Sequence, residues 1–280
     1  MHMGGTGVKN LILLLVILLS FANPSIADET EKPLWEIGFA GALVSMPHYV
    51  GSDQRYALPL VFPYIIYRGD FLRADRDGVR GRLLESDGLS LDLDFSFGLP
   101  VKSDTNIARS GMPPLHLAGQ VGPQLNWIVD ESEKQKISFH FPLRFAMDTS
   151  QSYLGWVSEP SLRFERYDLM TEHEKLMLRV EGGLLYASQR YNQYYYGVNT
   201  SYTTAIRPAY LARKGLHSYF LDTALRYRID QDLSLGLMVR MRTVSGGVNA
   251  NSPLVRNNFY LSAGIGFVWS FWSSDETVSR

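Results

Sequence analysis

One segment constrains the fold more than any other part of the chain. Residues 89–99, LSLDLDFSFGL, place an apolar side chain at every odd position and serine, aspartate or glycine at every even position. Successive side chains of a strand point to opposite faces, so one face of this segment meets an apolar medium and the other a polar one. The segment therefore predicts a long strand that separates two media.

The same alternation recurs along most of the chain. It is clear at 137–147, 176–186, 219–227, 233–241 and 259–271. Strands of about 10 to 14 residues are longer than those of globular sheets, and tyrosine and tryptophan gather near their ends, as the aromatic girdles of a membrane barrel require. A soluble β-sandwich also alternates and is the alternative. The pattern favours an all-β fold, a closed antiparallel transmembrane β-barrel.

The connections fit a barrel with short turns on one side and long loops on the other. Short turns at 68–70, 85–88, 129–136, 167–174 and 230–232 are expected in the periplasm, and long loops at 46–56, 100–114, 188–215 and 244–256 outside. Because 70–76 and 79–85 are short for a membrane, ten spanning strands are the alternative to twelve. The twelve predicted strands are 34–45, 57–67, 70–76, 79–85, 89–99, 115–128, 137–148, 155–166, 175–187, 216–229, 233–243 and 257–271.

The N-terminus predicts export. Lys9 precedes an apolar run at 11–21, and small residues precede Asp28. This pattern is typical of a secretory signal peptide at 1–27 that is cleaved after Ala27 and leaves 28–280 as the barrel. The alternative is an uncleaved anchor, but the run of about 11 residues is shorter than the roughly 20 of a spanning helix. We expect the protein to lie in the outer membrane of a bacterium and to have the lipid of that membrane as a partner.

Charge and cysteine content exclude several classes of function. Lysine plus arginine (27) nearly balances aspartate plus glutamate (28), so no basic field favours nucleic acid as a partner. The chain has no cysteine, which excludes disulfides and Cys-ligated metal sites.

Charged residues on the polar face should meet opposite charges on neighbouring strands. A lumen filled in this way is narrow or plugged rather than an open general pore. If the turn at 85–88 is centred on Asp87, Arg82 lies opposite Asp92 and Arg80 lies opposite Asp94 on the next strand. If the turn at 230–232 is centred on Gln231, Asp222 lies opposite Arg240. These are three predicted lumen pairs.

The sequence offers no catalytic or metal-binding constellation. A Gly-x-Ser-x-Gly elbow and a His-x-x-x-His spacing are both missing from the sequence. His116 and His140 are expected to face the lumen at opposite ends of the barrel, and His48 lies beside Asp53 in the first exterior loop. We predict that the protein is not an enzyme and has no catalytic residue, cofactor or metal.

Two surfaces are candidates for interaction. The first is the tyrosine- and arginine-rich exterior loop, a composition typical of contact surfaces, although such a loop could also fold over the barrel mouth and pack on itself. The second is an acidic periplasmic rim, whose charges could also be ordinary solvated turn residues. The loop candidates are Arg190, Tyr191, Tyr194, Tyr195, Tyr196 and Arg207, and the rim candidates are Asp130, Glu131, Glu133, Glu172, Glu174, Asp230 and Asp232.

Several strings resemble one known family. They are MPHYVGSDQ at 46–54, FLRADRDG at 71–78, GRLLE at 81–85, LPVKSD at 99–104, GMP at 111–113, QRYN at 189–192 and YGV at 196–198. Together they resemble the MipA/OmpV family of MltA-interacting outer-membrane proteins, through nearly the whole mature chain. The chain departs from the usual barrel by continuing at 273–280 after its last aromatic strand, with Phe271 or Trp272 as the expected assembly anchor.

The resemblance implies an outer-membrane barrel without known catalytic activity. Some members are described as scaffolds that join a lytic transglycosylase to a peptidoglycan synthase, and others as surface antigens or adhesins. The first hypothesis is therefore a scaffold that uses the periplasmic rim, and the second is an adhesin that uses the exterior loop. A narrow small-solute channel is the third.

Overall fold

A computed structural model describes residues 32–68, 72–75, 78–86, 88–167, 169 and 175–278. The predicted signal peptide lies outside the described residues. One α-helix, α1 (Gln189–Tyr196), and short 3-10 helices at Ser103–Thr105, Ile107–Arg109 and Thr200–Tyr202 lie in loops. The strands are β1 (Lys32–Pro33), β2 (Trp35–Pro47), β3 (Arg55–Arg68), β4 (Leu72–Asp75), β5 (Gly78–Ser86), β6 (Leu89–Gly98), β7 (Ala118–Glu131), β8 (Gln135–Asp148), β9 (Tyr153–Ser158), β10 (Ser161–Arg166), β11 (Leu176–Ala187), β12 (Gly215–Arg228), β13 (Leu233–Thr243), β14 (Phe259–Ser273) and β15 (Thr277–Val278).

The strand pairing forms a closed ring. Strands β2 to β8 pair in chain order, as do β11 to β14, and β14 returns to β2. Between β8 and β11, β9 and β10 act as two parts of one strand, because each pairs with both neighbours. Counted in this way, the described residues form a barrel of twelve antiparallel strands, as predicted.

Three local features differ from the predicted elements. The strand predicted at 155–166 is interrupted at Glu159 and Pro160, where proline cannot donate a ladder hydrogen bond. The strand predicted from 115 begins at Ala118. The long loop predicted at 188–215 contains the helix α1.

The outer and inner faces of the strands meet different media. Along β14, odd-numbered Ile265, Phe267 and Trp269 are exposed, whereas even-numbered Ser262 and Val268 are buried. An apolar surface of this extent fits contact with lipid. Other exposed apolar side chains include Phe39, Leu43, Leu125, Phe141, Phe145, Leu162, Leu221, Leu235 and Leu237.

None of the described helices is long and apolar enough to cross a membrane.

The lumen itself has two sides. On β2, β3 and β14, the inward side chains form an apolar cluster that includes Val44, Leu60, Tyr64 and Val268. The inward side chains of β8 and of β10 to β13 include the charged residues Arg144, Arg163, Glu181, Asp222 and Arg240. The lumen is therefore amphipathic across its width, which simple alternation does not predict.

The two ends of the described chain meet on the side of the short turns. The strand β1 pairs with β15, and Trp35 packs edge-to-face on Trp272 with ring centroids 5.3 Å apart. Ser274 N donates to the carbonyl of Trp35 at 3.0 Å. Part of the segment that follows the last long strand thus pairs with the N-terminal end of the described chain.

Candidate functional site

The lumen holds a bridged ion network. Glu159 lies at the break between β9 and β10 and accepts hydrogen bonds from two arginines. Arg144 Nη2 donates to one oxygen at 2.6 Å, and Arg242 Nη2 donates to the other at 2.6 Å. Arg144 Nη1 also donates to Asp94 at 3.0 Å. The network joins strands from different parts of the barrel wall across the lumen.

Further ion pairs line the same charged side. Arg240 Nε donates to Asp222 at 2.8 Å from directly opposite positions on β13 and β12. Towards the periplasmic end, Arg163 Nε donates to Glu181 at 2.9 Å, and Arg179 Nε to Glu165 at 3.0 Å. Partners of this kind keep buried charges from being left unpaired.

The three predicted lumen pairs have different outcomes. Asp222 and Arg240 form the pair just described. Arg82 and Asp92 are opposite in the backbone register, and Asp92 also accepts from Asn126 at 2.7 Å. The pair of Arg80 with Asp94 stays a prediction, and Asp94 forms a described ion pair with Arg144, two strands away. The side chains of Arg80 and Arg82 lie outside the described residues.

The exterior mouth is covered by the helix α1. Ser188 begins the helix, because its hydroxyl accepts from Tyr191 N. From the helix, Tyr191 OH accepts from Gln120 of the barrel wall at 3.2 Å, and Tyr196 OH donates to the carbonyl of Val50 at 2.8 Å. The helix is thereby fixed to both the wall and the first exterior loop.

The exterior loops are also tied to one another. Asn106 is fully buried, and its Nδ2 donates to His48 Nδ1 at 3.1 Å and to Ser52 Oγ at 3.2 Å. Arg109 donates to the carbonyl of Tyr195 at 3.1 Å, and Arg207 to that of Ala108 at 3.0 Å. Together the loops form a cap over the lumen, which we call the exterior cap.

The candidate contact loop is largely internal. Tyr191, Tyr196 and Arg207 are buried, Tyr194 and Tyr195 are half-buried, and Arg190 is exposed. Burial raises the pKa of Tyr195 and of Tyr196 well above 10, so both phenols stay neutral. The six residues do not form one exposed patch, and the loop packs over the barrel mouth, which was the alternative.

The acidic rim is exposed where it can be described. Asp130, Glu131, Glu133, Asp230 and Asp232 are all exposed. Three of them have local partners: Asp130 accepts from Gln135 Nε2 at 3.2 Å, Glu131 pairs with Lys136 at 3.0 Å, and the Asp230 carboxylate accepts from the backbone of Asp232 and Leu233. The remaining rim candidates, Glu172 and Glu174, lie outside the described residues.

Sequence reasoning missed Glu159, Asn106 and Arg109 as organising residues. A Glu-Pro pair inside an alternating strand was the available signal for Glu159.

The histidines do not come together in one site. His116 is exposed, and His140 Nδ1 forms a hydrogen bond with Asn126 Oδ1 at 2.8 Å. Among the described residues, no group of three histidine or acidic side chains could hold a metal ion.

Comparison with known proteins gives one strong match and several weak ones. The family described as MltA-interacting protein MipA matches residues 39–271. None of the curated proteins matches the chain.

Among solved structures, a NanC porin is 10% identical, with 84% of this chain and 100% of that chain covered and a TM-score of 0.37. A bacterial polysaccharide outer-membrane secretin is 12% identical, with 86% and 99% covered and a TM-score of 0.40. An OmpT loop-deletion mutant of Vibrio cholerae is 7% identical, with 85% and 100% covered and a TM-score of 0.36. Because these scores are low, the description of the fold depends on the chain's own strand pairing.

Proposed function

Because the chain belongs to the MltA-interacting protein MipA family, we propose that this bacterial outer-membrane β-barrel is a non-enzymatic scaffold for peptidoglycan-remodelling enzymes. Its partner at the periplasmic face is a lytic transglycosylase of the MltA type, and a peptidoglycan synthase is the second enzyme that it brings close. The observation that carries the proposal is the exposed acidic rim on the side of the short turns.

The two ends of the barrel differ in what they offer a partner. At the exterior end, the aromatic side chains point inward and hold the exterior cap together. At the other end, Asp130 and Glu133 are exposed at the β7–β8 turn and Asp232 at the β12–β13 turn. Exposed like charges at one end of the barrel favour a basic partner and raise its rate of encounter.

Neutralising the rim tests this proposal. We expect Asp130→Asn, Glu133→Gln and Asp232→Asn together to weaken capture of the transglycosylase about tenfold at low salt, since each exposed charge contributes up to about 1 kcal/mol. Glu131 and Asp230 are left unchanged because they pair with Lys136 and shape a turn. The control neutralises the exposed exterior residues Asp53 and Asp104. Unchanged capture by the rim variant contradicts the proposal.

A second candidate function is binding outside the cell. Ile107 and Ile206 are 78% and 80% exposed in the exterior loops, and the hydrogen bond from Arg207 to Ala108 holds these two loops together. An exposed apolar pair of this kind is typical of a contact site. If it binds host cells, Ile107→Ser with Ile206→Ser lowers adhesion of displaying bacteria to an epithelial monolayer and leaves capture of the transglycosylase unchanged.

A further inference from the structure

The barrel wall is incompletely paired in its exterior half. The strand β4 has four described residues, and among these it pairs with β3 only at Tyr67 and Arg68. Within the described part of the chain, residues 55–66 of β3 therefore pair with β2 and with no strand on the other side. Across the gap, the described pairing of β5 with β6 ends at Arg82 and Asp92. Residues 93–98 therefore pair with β7 and with no other described strand.

The sequence of β3 fits an open edge. Pro59 and Pro63 are four residues apart, so their nitrogens point to the same edge of the strand. The pairing of β3 with β2 runs without a break from Tyr67 to Arg55. Two prolines fit such a ladder when their nitrogens, which carry no hydrogen to donate, face the gap and not β2. Proline in a strand is found on unpaired edges, where no ladder donor is needed.

The exterior loops close the gap from above. Tyr56 OH donates to the carbonyl of Pro100 at 2.7 Å. The side chain of Gln54 donates to the carbonyl of Thr105 at 3.1 Å and accepts from Ile107 N at 2.5 Å. With the β4–β5 hairpin below, these contacts turn the gap into a window in the wall, bounded by 55–66 and 93–98, which we call the lateral window.

A cavity of about 390 Å³ lies behind the lateral window. Its lining includes Val44 and Met46 of β2 and Phe95 and Phe97 of β6, which alternate onto the lipid face, with Asp94 beside them. An apolar wall next to an opening in the exterior half of the barrel suits an apolar molecule that arrives from the membrane. The volume is in the range of small-molecule sites, about 300–1,000 Å³.

The far end of the cavity is lined by three arginines and by Asp94 and Glu159, and it has unused arginine donors. Arg144 and Arg242 line it and are each 7% exposed. Their Nη2 atoms bond Glu159, but the Nε atom of each is buried without a hydrogen-bond partner. Buried donors almost always have a partner, and two guanidinium groups that share one carboxylate acceptor favour an anionic oxygen. These donors therefore indicate a ligand with a carboxylate or phosphate group.

We propose that the lateral window admits an anionic amphiphile from the outer leaflet into the lumen. Its carboxylate or phosphate head binds at Arg144 and Arg242, and its apolar chain lies along Val44 and Met46 towards the window. This site is independent of the periplasmic rim, so it can be tested whether or not the rim docks an enzyme.

Binding is tested on the barrel in phosphatidylcholine nanodiscs with a dansylated undecanoic acid. We expect saturable fluorescence enhancement that dodecanoate or dodecyl phosphate displaces, and the stronger of the two identifies the head group. Dodecanol and dodecyltrimethylammonium have the same chain with a neutral or cationic head, and we expect them to displace at least about tenfold more weakly, because they cannot accept from both arginines in the same way. Equal displacement by all four, or no saturable signal, overturns the proposal.

Variants locate the site within the lumen. Arg242→Met is expected to weaken probe binding about tenfold, whereas Arg256→Met, at an exposed exterior arginine, leaves it unchanged. Met46→Trp fills the apolar end and is expected to abolish binding, which keeps the test available if Arg242→Met does not fold. Folding of each variant is checked by heat-dependent mobility in gels. If Arg242→Met and Met46→Trp both fold and both bind the probe as the wild type does, the probe binds elsewhere and the assignment is overturned.

The route is tested by labelling with a membrane-dissolved pyrene maleimide, because the chain has no cysteine of its own. Leu58→Cys puts a thiol on the inward face behind the open edge of β3. Ala224→Cys is the control, since it lies on the inward face of β12, whose neighbours β11 and β13 are both paired with it. We expect Leu58→Cys to react at least about tenfold faster, since apolar reagents partition into the bilayer. Equal rates contradict the lateral route.

Discussion

Arg144 on β8 donates to Asp94 on β6 at 3.0 Å, although β7 lies between the two strands in the barrel wall. The pair therefore reaches across the inner surface of the barrel and is not a contact between neighbouring strands. Since Arg144 also bonds Glu159, one guanidinium group ties three parts of the wall together.

Replacing Asp94 with a cation should impair folding. Asp94→Arg places a second positive charge beside the buried Arg144, and removing one partner of a buried pair costs about 3–5 kcal/mol. Asp94→Asn keeps a carbonyl acceptor at the same place. We expect refolding yield in neutral detergent to fall severalfold for Asp94→Arg and to stay near the wild-type yield for Asp94→Asn. Equal yields for the two variants contradict the pairing.

Glu159 should be the most sensitive acidic residue of the lumen. Glu159→Ala leaves Arg144 and Arg242 facing each other without their shared anion, and we expect a loss of about 3–5 kcal/mol in the free energy of unfolding. Urea titration of the barrel in lipid vesicles measures this loss. The control is Glu131→Gln, which breaks the exposed pair with Lys136 and should change little. A similar small effect at both positions would mean that the lumen network contributes no stability.

The hydroxyl of Tyr196 should hold the exterior cap closed. This buried group bonds the carbonyl of Val50 and His217 Nε2, each at 2.8 Å, and Tyr196→Phe leaves both partners unsatisfied at a cost of about 1–3 kcal/mol. We expect faster cleavage of the exterior loops by proteinase K, with the barrel still folded. Tyr153→Phe, at an exposed tyrosine, serves as the control and should be cleaved at the wild-type rate.

The exterior cap should loosen in acid because of His48. Asn106 Nδ2 donates to His48 Nδ1, so the imidazole must be neutral to accept. Burial lowers the pKa of His48 from 6.5, so the contact is at full strength above pH 6.5 and is lost as the pH falls through the lowered value. Loop cleavage by an acid-tolerant protease should increase below pH 6.5, and His48→Gln should flatten this dependence. An unchanged pH profile in His48→Gln would assign the effect to another group.

The strands and their closure could be predicted from the sequence, because a lipid-facing and a lumen-facing side chain alternate at every step. The register of Asp222 with Arg240 followed from the turn between their strands. Contacts such as Arg144 with Asp94 could not be predicted in this way, because turn geometry relates only adjacent strands.

The role of the tyrosine-rich loop could not be decided from composition. Tyrosine suits both an exposed contact surface and a packed cap, since it has an apolar ring and a polar hydroxyl. The packed arrangement is shown by the hydrogen bonds of Tyr191 with Gln120 in the lumen and of Tyr196 with Val50 in the first exterior loop. Both partners are distant in sequence. The open edge of β3 was similarly hidden, although Pro59 and Pro63 were its signal.

The central claim is that alternate residues of the strands face the lipid and the lumen of a barrel. It is tested most directly by single spin labels along 259–269 of β14, introduced on cysteines in the reconstituted barrel. We predict that collision with oxygen is high at odd positions such as Leu261, Ile265 and Phe267 and low at even positions such as Ser262 and Val268. An oxygen profile without this two-residue period would contradict the barrel and everything inferred from its two faces.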